Sequence, residues 1–121
     1  MDYRSLDIKE RQADDVTVLK LSGQLTMGLA SSGLKEQLDA AVAQGRRHIL
    51  LSVAELSYID SYGLGELVAC LTTVKKSGGA LKLAGPTPFV RDVMRTTRLD
   101  TLFETYGSEE EALASFNEPT N

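Results

Sequence analysis

The stretch SYIDSYGLGELVACL, residues 57–71, decides how the chain is to be read. It opens as the apolar end of a strand and closes as an amphipathic helix, with Leu64, Leu67, Val68 and Leu71 at helical spacing. Asp60 and Ser61 stand at the junction, and the plain reading makes one of them a helix cap that accepts a backbone N–H bond. The residues that follow are poor choices for stability alone, because Gly63 and Gly65 each cost up to about 1 kcal/mol relative to alanine. Glycines at a helix start leave backbone that another chain can approach closely.

Working outward, the pattern alternates strands with helices. Tyr3–Lys9 and Val16–Leu21 flank the polar turn Gln12-Ala13-Asp14-Asp15 and read as a hairpin, with Ser22-Gly23-Gln24 ending the second strand. From about Gly28 to Ala43 the period becomes helical, with Ala30, Leu34, Leu38, Ala41 and Val42 on one stripe and Lys35, Glu36 and Asp39 off it. Gly45 is the expected stop. Ile49–Val53 is a nearly continuous apolar run, suited to a central strand covered on both faces.

After the quoted stretch, Lys75-Lys76-Ser77-Gly78-Gly79 closes the helix with cations at its negative end. Leu81 and Leu83 alternate as a strand. Thr87-Pro88 starts a helix with Phe89, Val90, Val93 and Met94 as its apolar side. Leu102-Phe103 is expected as the final strand. Ser108 and Glu111 form a capping box, whose helix turns Ala112, Leu113 and Phe116 inward. The order is β-β-α-β-α-β-α-β-α: an α/β fold with a mixed, mostly parallel sheet and about four helices, since right-handed crossovers make successive strands parallel. Residues 1–121 read as one domain, with 117–121 a frayed tail.

Composition narrows the function. Thirteen basic against seventeen acidic residues give a formal charge of −4, which disfavours nucleic acid or an anionic membrane as main partner. No apolar run approaches the roughly 18 residues of a membrane span. The opening MDYRSLDIKERQADD carries no run of the secretory-signal kind, and a lone Cys70 suits a reducing compartment, so the expected location is the cytoplasm. His48, the only histidine, reads as a surface residue at a strand entrance, and Cys70 as a small core residue. Together they fall short of a zinc ligand set. Gly63-Leu64-Gly65 matches neither common phosphate-loop pattern. No catalytic constellation, cofactor or metal site emerges.

The chain resembles the STAS domain, and within it the stand-alone bacterial anti-sigma factor antagonists. The likeness is carried by VTVLKLSGQL in the second strand, HILLSVAELSYIDSYGLGELV, GGALKLAGPTPFVRDVMRTTRLDTLFE and the acidic-capped last helix, and it spans nearly the whole chain. The resemblance implies a non-enzymatic switch. In such proteins the serine matching Ser61 is phosphorylated by an anti-sigma factor that is also a serine kinase, and a serine phosphatase removes the phosphate. The unmodified form holds the anti-sigma factor and frees the sigma factor. Thr26, Asp60, Ser61, Tyr62, Gly63, Leu64 and Gly65 are the partner-binding positions so implied. Three residues depart from the family's common pattern: Tyr62 where Ser or Thr is usual, and Thr26 and Ser52 where Asp is usual. The alternative function for the same fold is a constitutive scaffold, or an accessory subunit of a stress-signalling or lipid-transport complex.

Overall fold

A computed structural model describes residues 6–26 and 33–117. The elements are β1 (Leu6–Ala13), β2 (Val16–Leu25), α1 (Leu34–Ala43), β3 (His48–Ile59), α2 (Ser61–Lys76), β4 (Ala80–Ala84), α3 (Pro88–Thr96), a 3-10 turn (Leu99–Thr101), β5 (Glu104–Tyr106) and α4 (Glu109–Phe116). The expected element order is observed, with the 3-10 turn added. Tyr3, the expected helix start at Gly28 with Ala30, and the tail beyond Asn117 lie outside the described residues.

The five strands lie in sequence order, β1-β2-β3-β4-β5. β1 runs antiparallel to β2 through a tight turn at Asp14 and Asp15, where Asp14 takes the left-handed conformation (φ 57°) that aspartate tolerates. The other three pairings are parallel. On one face Leu19, Leu21, Ile49, Leu51 and Val53 of the sheet meet Leu34 and Leu38 of α1, Leu64, Leu67 and Cys70 of α2, and Val90 and Met94 of α3. On the other face Val16, Val18, Leu50 and Ala84 are covered by α4 through Ala112, with Leu113 and Phe116 beside it. The run Ile49-Leu50-Leu51 is therefore buried on both sides, as its lack of alternation required.

α4 is also held by charge. Lys82, 8% exposed on β4, donates to Ser115 Oγ (2.8 Å), lies 3.3 Å from the Glu104 carboxylate and sits 4.5 Å from the centroid of the Phe116 ring. A buried ammonium without such partners would cost several kcal/mol. Thr87 caps α3 by accepting the Val90 N–H (3.2 Å), and Ser108 caps α4 by accepting the Glu111 N–H (3.1 Å), as their sequence positions indicated.

Three expectations need correction. The final strand is Glu104–Tyr106, paired with Lys82–Ala84, not Leu102-Phe103. The 3-10 turn delivers Phe103 into the core (4% exposed) and leaves Leu102 outside, so neither is free to pair. Phe89 is not on the buried side of α3: it is 43% exposed and stacks on Tyr58, ring centroids 5.2 Å apart. Finally, β2 runs through Ser22-Gly23-Gln24 to Leu25, and β3 continues well past Val53 to Ile59. β3 holds one residue more than β2 between Ser52 and Glu55, and again between Leu56 and Tyr58. Such bulges break the alternation by which a strand is recognised and bend the strand locally. β4 stops opposite Ser52, so the remainder of β3 pairs with β2 alone and reaches beyond the end of β4. That overhang carries the start of α2.

Candidate functional site

The overhang of β3 ends at Ile59, paired with Leu25, and the chain turns directly into α2. Asp60 is the N-cap: its backbone is extended (φ −109°, ψ −175°) and its carboxylate accepts the Gly63 N–H at 2.8 Å. The Asp60 N–H donates to the Leu25 carbonyl at 3.3 Å, tying the cap to the end of β2. With the cap supplied by Asp60, Ser61 is the first helical residue and is exposed. Its hydroxyl makes no hydrogen bond with the described residues. Asp60→Ala should therefore cost about 1 kcal/mol of stability, whereas Ser61→Ala should leave the unfolding free energy nearly unchanged in a urea titration.

The two glycines separate. A Cβ on Gly63 would lie 2.1 Å from the Leu25 carbonyl oxygen, so glycine is required there by α2 packing on β2 within the domain. That replaces the expectation that Gly63 clears space for a second chain. A Cβ on Gly65 meets nothing within 4 Å, and the residue is exposed. Its cost to the helix has no reason in the packing of the described residues. Leu64 is 7% exposed and belongs to the core, so its side chain is not presented at the surface. Tyr62, by contrast, is 48% exposed. Thr26 follows Leu25 directly and is half-buried beside the start of α2.

Ser61 and Tyr62 open onto a groove of about 490 Å³ between α1 and α2, further lined by Lys35, Glu36, Gly65, Glu66 and Ala69. Glu66 accepts the Lys35 backbone N–H (3.1 Å), which gives the first turn of α1 a partner from α2 where Gly33, its N-cap, has no side chain to offer. The Lys35 ammonium reaches Asp39, one turn further along, at 2.8 Å. In the sequence Lys35 and Glu36 are marked only as lying off the apolar stripe of α1, and Glu66 and Ala69 are not singled out. The spacing 62, 65, 66, 69 puts those α2 residues on one helix face, a signal that was available.

Ser52 lies elsewhere. It is buried on the face covered by α4, beside Glu109, so its departure from the family pattern does not bear on the surroundings of Ser61. The Arg11 guanidinium first, and Ser52 second, hold the Glu109 carboxyl below the usual range. His48 sits 3.3 Å from Asp15 and against the Phe116 ring, at the far end of β3 from Ser61. Burial pushes the Cys70 thiol up to about 12, which leaves it protonated and unreactive at neutral pH. Among the described residues, no three metal-ligating side chains gather and no helix is long and apolar enough to cross a membrane.

The chain is similar in sequence and fold to known proteins. A protein of Thermotoga maritima, provisionally named an anti-sigma factor antagonist, is 31% identical over 100 residues, covering 83% of this chain and 88% of that one. The anti-sigma F factor antagonist of Paenibacillus polymyxa is 27% identical over 110 residues, with 90% and 93% covered. The fold matches that of the Bacillus cell fate determinant SpoIIAA in its phosphorylated form with a TM-score of 0.72 at 23% identity, over 92% of this chain and all of that one. The STAS domain profile itself matches residues 7–112, and the chain belongs to the STAS domain family.

Proposed function

We propose that this protein is a cytoplasmic anti-sigma factor antagonist that works by partner switching, without catalysis of its own, at the start of α2. In this reading the unmodified protein binds an anti-sigma factor with serine kinase activity and so frees a sigma factor. Phosphorylation of Ser61 ends that binding, and a serine phosphatase restores it. One observation carries the reading: Ser61 is exposed at the first position of α2, relieved of capping by Asp60, on the groove it shares with Tyr62 and Gly65. A hydroxyl so placed can be reached by a kinase without unfolding the domain. The names of the relatives, and the phosphorylated form of SpoIIAA, support the same reading.

Phosphate would add about −1.5 to −2 charges at the N-terminal end of a helix. The helix dipole favours negative charge there by about 0.3–1 kcal/mol, so the free domain tolerates the modification. The test incubates the protein with its candidate kinase and ATP and maps the product by mass spectrometry. Phosphate is expected on Ser61 and absent from Ser61→Ala. Modification elsewhere, with Ser61 untouched, would refute the switch.

Tyr62 is the partner's anchor in this reading. An exposed aromatic side chain at a protein surface brings large contact area with little rotamer entropy to lose. Tyr62→Ser should weaken the anti-sigma partner by about tenfold or more, with little change in melting temperature. An unchanged dissociation constant by calorimetry would remove Tyr62 from the interface.

A further inference from the structure

A second site is laid out by the topology. The chain leaves β2, β3 and β4 toward helices on one face of the sheet, but leaves β5 toward α4 on the other. β4 and β5 are thus the adjacent parallel strands whose connections part to opposite faces. In open α/β sheets such a parting creates a crevice beyond the carboxyl ends of the strands, where small ligands are bound. The crevice is present. Pro86, just after β4, and Gly107, just after β5, border a cavity of about 380 Å³, within the roughly 300–1,000 Å³ of small-molecule sites. It shares no residue with the Ser61 groove.

The lining has a definite chemistry. Met94 and Phe103 are apolar and almost fully buried, and form its floor. Arg91 of α3 and Asp100 of the 3-10 turn bring opposite charges to the same cavity. They do not pair with each other, and neither side chain has an ion pair or hydrogen bond among the described residues. A guanidinium and a carboxylate that share a cavity without meeting are matched by one molecule carrying both complementary charges. A simple anion would satisfy Arg91 but face Asp100, and also Glu111, whose carboxylate oxygen lies 3.1 Å from where a Gly107 Cβ would be. A simple cation would leave Arg91 unmatched.

We propose that the crevice beyond β4 and β5 binds a small zwitterion with an apolar side chain, the class of the hydrophobic α-amino acids. Its carboxylate meets Arg91, its ammonium meets Asp100, and its side chain covers Met94 and Phe103. This inference does not depend on phosphorylation at Ser61.

The test titrates the uniformly ¹⁵N-labelled full chain with L-leucine, L-methionine and L-phenylalanine, and follows the amide spectrum. At least one should give saturable shifts concentrated at Arg91, Asp100, Thr105 and Gly107. For L-phenylalanine, 3-phenylpropanoate and phenethylamine supply each charge alone and should bind at least about tenfold more weakly; the deaminated and decarboxylated forms of L-leucine or L-methionine serve likewise. Arg91→Ala and Asp100→Ala, both at exposed positions, should each weaken binding by about tenfold or more while leaving remote amides in place. The proposal is overturned if none of the three amino acids produces saturable shifts below about 10 mM. It is equally overturned if the shifts map elsewhere, if a single-charge analogue binds as well as its parent, or if either variant binds like wild type.

Discussion

Ser61→Asp is expected to lose its anti-sigma partner by about a hundredfold while melting at nearly the wild-type temperature. The two halves of that result have separate causes. In the free protein the new carboxylate sits exposed at the first helical position of α2, at the positive end of the helix dipole, where negative charge is favoured. In the complex the same charge would be taken out of water with no cation supplied by the partner, at a cost of about 3 kcal/mol or more. That penalty corresponds to roughly a hundredfold in dissociation constant. Calorimetric binding and thermal unfolding of one preparation measure both halves. Affinity within about threefold of wild type would exclude charge as the agent of release.

Gly63→Ala should be the most damaging single methyl group in the neighbourhood. Its Cβ would come within 2.1 Å of the Leu25 carbonyl oxygen and 2.9 Å of Ile59 Cγ1. The first of these is backbone, already engaged by the Asp60 N–H, and cannot swing aside as a side chain would. Either α2 lifts from the end of β2 or the β2–β3 pairing opens. The expected cost is about 3 kcal/mol, the upper end for overpacking, and a melting point lower by about 10 °C. Gly65→Ala is the matched control. Its methyl enters open space on an exposed helix and should raise stability by about 0.5–1 kcal/mol. If the two variants melt alike, the packing account of Gly63 fails. If Gly65→Ala also binds the partner normally, close approach is not why a glycine stands there.

The pair shows where reading the sequence stops. Two glycines at the start of α2 look alike in the chain, and both break helix propensity. Only the position of Leu25, far away in sequence, separates the one enforced by packing from the one left free. The same holds for the cap. Asp60 and Ser61 are equally good capping residues on paper, and the Asp60 carboxylate reaching Gly63 N–H decides between them. What was legible rests on local physics: the element order, the caps at Thr87 and Ser108, the two-sided burial around Leu50. What was missed rests on long-range fit. The bulges of β3 erase its alternation after Ser52, and β5 is held by three parallel pairings with β4 that no local pattern announces. The groove beside Ser61 combines residues of α1 and α2 that meet only after folding.

The strand order β1-β2-β3-β4-β5 also sets how the molecule comes into being on the ribosome. Every strand pairs with its neighbours in sequence, so each segment that emerges finds its docking edge already made. No strand must wait for one synthesised much later, as it would in a sheet of shuffled order. Each parallel pairing bridges one helix, as between Val16 and His48 and between His48 and Ala80, and such non-local closures are the slow steps of assembly. Translation at about 5–20 residues per second is slow beside closure of the β1–β2 hairpin. The β1–β2 hairpin can form early, but the core beneath Ser61 also takes Leu81, Leu83, Val90, Met94 and Phe103, so that corner is finished only when the whole domain has emerged. A nascent chain stalled before β4 would not yet present a finished Ser61 surface.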